Sequence, residues 1–396
     1  MGFAARLGRA GLGGVVLAAA MAVCGGALAG DPGVYDDRIV FGQAAPLDGP
    51  AKALGQDMRA GILAAFAEAN AAGGVGGRRL ELVSRDDGYE PGRAAAATRS
   101  LIDEDQVFAL VGPVGTPTSK AAQPLAEAEG VPFIGPFTGA GFLRDPARRT
   151  TVNLRASYDQ ETEAWIERLT TDLGIRRIAI LYQDDAFGEA GLAGVEKAMA
   201  ARDLPLLARG AYPRNTTAVK AALLAIRKTR PEAVVMVGAY APCAEFIRLA
   251  RRLKLDPVFV TISFVGARAL AADLGEAGAG VVVSQVVPLP DDEGVPLVAA
   301  YRQALAKAGP GTEPGFVSLE GYAVGRLVVE ALKGLPGEPT RAGLLQAIAR
   351  TGRFDLGGLA LTFGPGDNQG SDQVFFTVIQ PDGRFKAVET LAGLKG

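Results

Sequence analysis

At 396 residues, 48% hydrophobic and 21% charged, the chain is too apolar and too weakly charged to remain disordered, and it is long enough for about two domains. Its 41 Lys+Arg against 43 Asp+Glu leave a formal charge of −2, which gives no cationic excess for a phosphate backbone and argues against nucleic acid as a partner. Histidine is absent and only two cysteines occur, so the commonest general base and metal ligand are missing; no catalytic residue, metal or cofactor is expected.

Arg6 and Arg9 precede an uncharged run over 11–23, and Ala27, Leu28 and Ala29 then supply small residues suited to a signal peptidase. Residues 1–29 therefore read as a secretory signal peptide cut before Gly30, and the location as periplasmic. A membrane anchor is the weaker reading, because the run is mostly Ala and Gly. Lipoprotein processing at Cys24 is disfavoured by Val23 before it. Cleavage leaves 39 basic and 43 acidic residues, a formal −4, with Cys243 alone and no intrachain disulfide possible.

The mature chain alternates short apolar β-rich runs with longer segments of helical period, which marks an α/β fold with parallel sheets and crossover helices. A strand opens at 39–41. Leu54, Met58, Ile62 and Phe66 then line one helix face. Strands are expected at 80–83, 108–111 and 131–134, with helices at 94–101 and 119–129 between them. After Arg149 the cycle restarts. Strands are predicted at 151–154, 178–181, 233–237 and 258–261, with helices around 165–169 and at 191–201, 218–229 and 244–253. The run 281–287 leads back toward the first domain, followed by helices at 297–308, 318–332 and 341–350. Residues 359–363 and 374–379 flank a Gly/Asp/Asn turn and read as an antiparallel hairpin.

The candidate site follows from where strands end. The predicted strand at 108–111 runs into Gly112-Pro113-Val114-Gly115-Thr116-Pro117-Thr118-Ser119 and then a helix. Open α/β sheets bind ligands at such carboxyl ends, and the free amides and positive dipole of a helix start stabilise an anion such as a carboxylate. The same spelling also serves an ordinary N-cap with Pro in the first turn. Thr138 and Gly139 lie in a second such turn, 135–140. In the other half, Phe187, Tyr240, Ser263 and Phe264 follow three more strands, so a polar set and an aromatic set are expected to face each other across a cleft. Packing alone would also explain these aromatics. The acid pairs Asp86-Asp87, Asp184-Asp185 and Asp291-Asp292 lack calcium-loop spacing and read as caps or solvated loops. Asn215-Thr216-Thr217 is formally a sequon, and Cys243, with no histidine to activate it, reads as a small buried residue.

Several segments, in this order and spacing, resemble the periplasmic substrate-binding proteins of ABC transporters, in the branched-chain amino acid class. They are Phe41 to Pro50, Ala69 to Val75, Asp86-Asp87-Gly88-Tyr89-Glu90-Pro91, the Gly112 to Ser119 loop, Pro132 to Pro136, Asp185-Ala186-Phe187-Gly188 and Ser318-Leu319-Glu320-Gly321-Tyr322. The resemblance implies two Rossmann-like lobes, 36–154 with 287–352 and 155–286 with 353–396, joined by a three-crossover hinge. It also implies a monomer that closes on a small-molecule ligand and docks on an inner-membrane ABC permease. By position, Thr116 is similar to the hydroxyl residue that holds the ligand carboxylate, helped by Gly115, Thr138 and Gly139, and Phe187 stands where relatives place an aromatic. Gln43 and Tyr89 from the first lobe, and Tyr158, Tyr240 and Phe264 from the second, complete the expected ligand set.

Two positions depart from that pattern. Ser263 stands where relatives place the acid for an α-ammonium, and Gly115 where one cysteine of a family disulfide would be. A buried ammonium without a carboxylate is costly, so a small organic acid is the expected ligand, with an amino acid second. The competing readings are a ligand-sensing receptor domain of the same fold and, more remotely, a secreted α/β enzyme; no GxSxG elbow supports the latter.

Overall fold

The computed structural model describes residues 1–4, 30–309 and 311–394. The signal-peptide reading over 1–29 lies almost wholly outside the described residues. No described helix is long and apolar enough to cross a membrane.

Two central sheets organise the chain. The first contains β1 (Arg38–Ala45), β2 (Arg79–Asp86), β3 (Ala109–Val111), β4 (Phe133–Ile134) and β5 (Thr151–Val152), all parallel, in the order β2-β1-β3-β4-β5. Helices α1 (Lys52–Ala71), α2 (Pro91–Asp103) and α3 (Thr116–Ala128) make the crossovers. The apolar stripe is confirmed: Leu54, Met58, Ile62 and Phe66 are all buried on α1.

The second sheet holds β6 (Ile178–Gln183), β7 (Arg209–Tyr212), β8 (Ala233–Val237), β9 (Val258–Thr261) and β10 (Val282–Gln285), with parallel order β10-β9-β8-β6-β7. Its helices are α4 (Tyr158–Thr171), α5 (Ala186–Ala200), α6 (Lys220–Lys228), α7 (Tyr240–Arg252) and α8 (Ala267–Leu274). Residues 178–181 and 233–237 are fully buried, as uncharged apolar runs in a doubly covered parallel sheet should be.

The chain crosses between the sheets three times. It leaves the first after β5 and returns after β10 to form α9 (Pro296–Ala308), α10 (Phe316–Lys333) and α11 (Arg341–Thr351). Helix α10 lies along α1, and the approach is close because glycines face it: a Cβ on Gly61 would meet the Ser318 carbonyl oxygen at 1.9 Å. β11 (Arg353–Asp355) then pairs antiparallel with β12 (Ala360–Thr362), and the chain crosses back to β13 (Phe375–Ile379) and β14 (Phe385–Val388).

The predicted hairpin between 359–363 and 374–379 does not form. β12 pairs with β11, whereas β13 pairs with β10 and β14. The intervening segment is too long for a tight turn, and each run finds a partner outside it. Two helix starts also differ. Asp185 accepts the Phe187 amide at 2.9 Å and caps α5 from Ala186, and α7 starts at Tyr240, so both aromatics sit in first turns of helices.

Candidate functional site

Each sheet reverses its strand order at one place. In the first, β1 sits between β2 and β3; in the second, β6 sits between β7 and β8. A crevice forms outside the strand carboxyl ends at such a switch point, and the loops emerging there from the two sheets meet.

Five aromatic rings fill that meeting place. Phe264, in the turn after β9, lies 4.6 Å from Phe187, 5.1 Å from Phe137 and 6.0 Å from Tyr89 between ring centroids, while Tyr158 lies 5.5 Å from Phe187. Phe137 and Tyr89 come from the first-sheet lobe, and Phe187 and Phe264 from the second. All five are buried. Each such pair adds about 0.5–1.5 kcal/mol beyond its area. Two glycines make room. Gly115 has φ +103°, and a Cβ there would meet the Tyr89 ring at 2.3 Å; a Cβ on Gly139 would meet the Tyr158 ring at 2.5 Å.

Beside the rings lies a hydroxyl group cluster. Thr116 Oγ1 and Thr138 Oγ1 are 2.6 Å apart, and the Tyr158 hydroxyl sits next to both without a well-formed bond of its own. Burial keeps the Tyr158 phenol above its ordinary pKa, so it is a neutral donor. Thr116 is the first residue of α3, where amides are free of intrahelical partners.

A buried ion cluster backs this surface. The Arg155 guanidinium, fully enclosed, lies 5.0 Å from the Phe137 centroid and 6.0 Å from that of Tyr158. Its Nη2 donates to Glu161 Oε1 at 3.2 Å, and its Nη1 is 3.7 Å from Glu320, but Nε and Nη1 make no hydrogen bond. Glu161 also accepts the Ser263 amide at 3.0 Å, the Ser263 hydroxyl at 2.9 Å and the Ser284 hydroxyl at 2.5 Å. Glu320, on α10, has its pKa pushed up to about 7 by burial, which outweighs the attraction of Arg155. Asp87 is likewise raised to about 7 by burial, although the Tyr89 amide donates to it at 2.7 Å.

Of the residues singled out from sequence, Tyr89, Gly115, Thr116, Thr138, Gly139, Tyr158, Phe187, Ser263 and Phe264 converge here. Two do not. Gln43 is buried in the first lobe with both ends of its amide engaged, donating to the Gly112 carbonyl at 2.9 Å and accepting from Ser84 at 3.1 Å. Tyr240 reaches across to the Ala53 backbone and makes no ring contact with the aromatic cluster. Sequence reasoning passed over Phe137, Arg155, Glu161 and Glu320. The available signal was an isolated charge in an apolar setting: Glu320 on the buried face of α10, and Arg155 directly after a strand.

A cavity of about 380 Å³ opens at the mouth of the crevice, between Pro50, Ala51 and Tyr89 on one side and Gln183, Asn215 and Ala239 on the other. The Gln183 amide donates to the Tyr89 hydroxyl at 3.3 Å, so one of the five rings forms part of this cavity's wall. No group of side chains able to hold a metal ion occurs among the described residues. Cys243 is a free, buried thiol whose pKa burial pushes up to about 12.

The family described as "Periplasmic binding protein" matches residues 38–384. The chain belongs to that family. The periplasmic binding protein is 26% identical over 271 residues to the leucine-, isoleucine-, valine-, threonine- and alanine-binding protein of Pseudomonas aeruginosa, covering 68% of this chain and 71% of that one. A solved structure from Rhodopirellula baltica, of a possible leucine/isoleucine/valine-binding protein, superposes with a TM-score of 0.85 at 41% identity, covering 90% of this chain and 98% of the other. A solute-binding protein of R. palustris in complex with benzoate superposes at 0.79 with 18% identity, over 89% of this chain and 95% of that one, and shares the fold. These homologues are solute-binding proteins, and the family is extracytoplasmic.

Proposed function

We propose that this periplasmic binding protein captures a small carboxylate with an apolar body between its lobes and hands it to an ABC permease, with no chemistry on the ligand. The observation that carries the reading is the donor surface at the crevice: the hydroxyls of Thr116, Thr138 and Tyr158, beside an enclosed Arg155 whose Nε and Nη1 make no hydrogen bond, although Nη1 faces Glu320 at 3.7 Å. Such a surface suits an anion, and the surrounding rings suit an apolar body.

Ser263 weighs against an α-amino group. The carboxylate nearest to it, Glu161, is already bonded by Ser263, Ser284 and Arg155, so a ligand ammonium would meet a neutralised acid. The benzoate-bound relative is consistent with an amine-free acid. The amino-acid reading rests on the Pseudomonas aeruginosa relative and stands second.

Phe264 occupies the space between the two lobes in this closed form, so the ligand binds by moving that ring aside or by parting the lobes slightly. For this motion the lobes divide near 36–154 with 287–352 and 155–286 with the C-terminal strands, the expected division at 353 needing one adjustment. The position of β11 and β12 beside α9 favours a third crossover nearer residue 370; the Gly357 carbonyl accepts the Leu297 amide at 2.8 Å. A ligand that touches both lobes shifts the population toward the closed form because it binds that form better.

Isothermal titration against amine-free aromatic and aliphatic acids and against leucine, isoleucine and valine tests the proposal. Saturable binding of acids supports it. Tight leucine binding with no response to any amine-free acid overturns the ligand assignment, and turnover of a bound compound overturns the non-catalytic role.

A further inference from the structure

The second sheet has two ends, and only the carboxyl end of its strands faces the crevice. At the opposite end, residues 176–177 lead into β6, 230–232 into β8 and 254–257 into β9, three adjacent parallel strands, so these turns lie side by side. The carboxyl-terminal residues of α6 and α7 reach the same end, since each helix runs antiparallel to the strands it joins.

Arg176, Arg227, Lys228, Arg230, Arg252 and Lys254 gather there, all exposed, and none is in an ion pair among the described residues. Acids share this end: Glu232 and Asp256 line the same groove as the cations, and Asp203, Asp273 and Glu276 stand exposed where α5 and α8 end. Glu232 accepts the backbone amides of Arg176 and Arg177 at 3.2 and 3.1 Å, and Asp256 pairs with Arg251 at 3.3 Å. Arg177 is turned inward onto the carbonyls of Thr229 and Arg230. The cations outnumber these acids, so this end carries an excess of positive charge on a chain whose overall charge is negative.

A second observation is independent of charge. Beyond residue 35, the exposed large hydrophobic residues among the described ones are Leu224 and Leu253, and both belong to this end: Leu224 on α6 lines a shallow groove with Arg227, Lys228 and Lys254, and Leu253 immediately follows α7. Exposed leucines ringed by lysine and arginine have the chemistry of a surface that rests on an anionic bilayer, with apolar tips at the headgroup boundary and cations over the phosphates.

We propose that this basic end of the second lobe binds the surface of an anionic phospholipid membrane, reversibly and without insertion. It lies away from the crevice, so the ligand site stays free while the protein is held at the surface.

The test is co-sedimentation of the purified protein with vesicles of phosphatidylcholine alone and with vesicles in which one lipid in three is phosphatidylglycerol. Binding to the anionic vesicles is expected to be at least about ten-fold stronger, and to weaken as salt shortens the Debye length. The triple variant R227E/K228E/R252E, all on or at the ends of helices, should lose at least about a hundred-fold in vesicle affinity while keeping its melting temperature. If charge reversal costs the fold, the neutral variant R227Q/K228Q/R252Q replaces it, with a smaller expected loss. L224S/L253S should weaken anionic-vesicle binding at high salt most. Equal binding to both vesicle types, or anionic binding unchanged by the charge variants, would overturn the proposal. So would retention of an acidic soluble protein by the patch when anionic vesicles are not bound.

Discussion

Arg268 on α8 reaches across the crevice to Asp57 on α1, with Nη2 2.8 Å from Oδ1 and 3.1 Å from Oδ2. A second set of bonds joins the lobes on the loop side. Arg214 Nη2 donates to Glu90 at 2.6 Å, and Asn215 Nδ2 donates to Glu90 at 2.7 Å and to the Gly88 carbonyl at 3.1 Å. These contacts exist only when the lobes are together. R268A and R214A should therefore shift the unliganded protein toward the open form, with a larger radius of gyration by small-angle scattering and ligand affinity lowered about five- to ten-fold. An unchanged scattering curve for the double variant would show that these bonds do not hold the lobes.

Phe264 makes its ring contacts with both lobes. F264A should cost about 3–5 kcal/mol in denaturant melts, as large-to-small changes at packed aromatics do, and should admit bulkier acids than the parent accepts. Calorimetry across an acid series graded by size measures the second effect. No change in the size preference would place the ligand away from this ring.

Arg155 and Glu161 are both fully enclosed, so removing one partner leaves a buried charge unmatched. R155M is expected to destabilise by about 3–5 kcal/mol, and R155M/E161Q to recover much of that loss. Urea unfolding of the two variants beside the parent gives the comparison; equal losses would show that charge imbalance is not the cause.

Glu320 and Asp87 are raised by burial to about 7 from ordinary values of 4.5 and 3.8. A carboxyl whose folded pKa is raised favours the folded state when protonated, so this contribution is complete below the ordinary value and is lost as pH rises through about 7. Thermal stability should fall between about pH 5 and 8 from these two groups, and E320Q with D87N should flatten the profile. A profile for the double variant as steep as the parent's would assign the pH dependence elsewhere.

Gly115→Ala places a methyl group against the buried Tyr89 ring at a backbone angle that side chains rarely adopt. Both a lowered melting temperature and loss of ligand binding are expected from thermal melts and calorimetry, and a variant that melts and binds like the parent would show that this contact does not shape the crevice.

The parallel strands were readable because each is a short uncharged run closed by a turn, and Thr116, Thr138, Phe187 and Phe264 were readable because each stands where such a run ends. β7 was not. Its sequence Arg-Gly-Ala-Tyr alternates exposed and buried on a sheet edge and carries too few apolar residues to stand out. β12 and β13 were paired with each other because local signals reveal turns, while the true partners, β11 and β10, are chosen by tertiary packing. The ion cluster was hidden for a related reason. Arg155, Glu161 and Glu320 are each unremarkable in the chain, and only the return of α10 to the first lobe brings the last of them to the other two. Gln43 shows the reverse: its place near a strand end suggests a ligand role, but the structure turns its amide onto the Gly112 carbonyl and the Ser84 hydroxyl inside the first lobe, away from the rings.

Cys243 sits in the first turn of α7 with no exposed surface, and burial pushes its thiol up to about 12. In a chain that begins at Gly30 it is the sole sulfhydryl, so a thiol reagent has one target and reaches it only when α7 lifts from the sheet. The rate of labelling at this single atom is thus a clock for breathing motions of the second lobe, readable with and without a guest, and it requires no engineered probe.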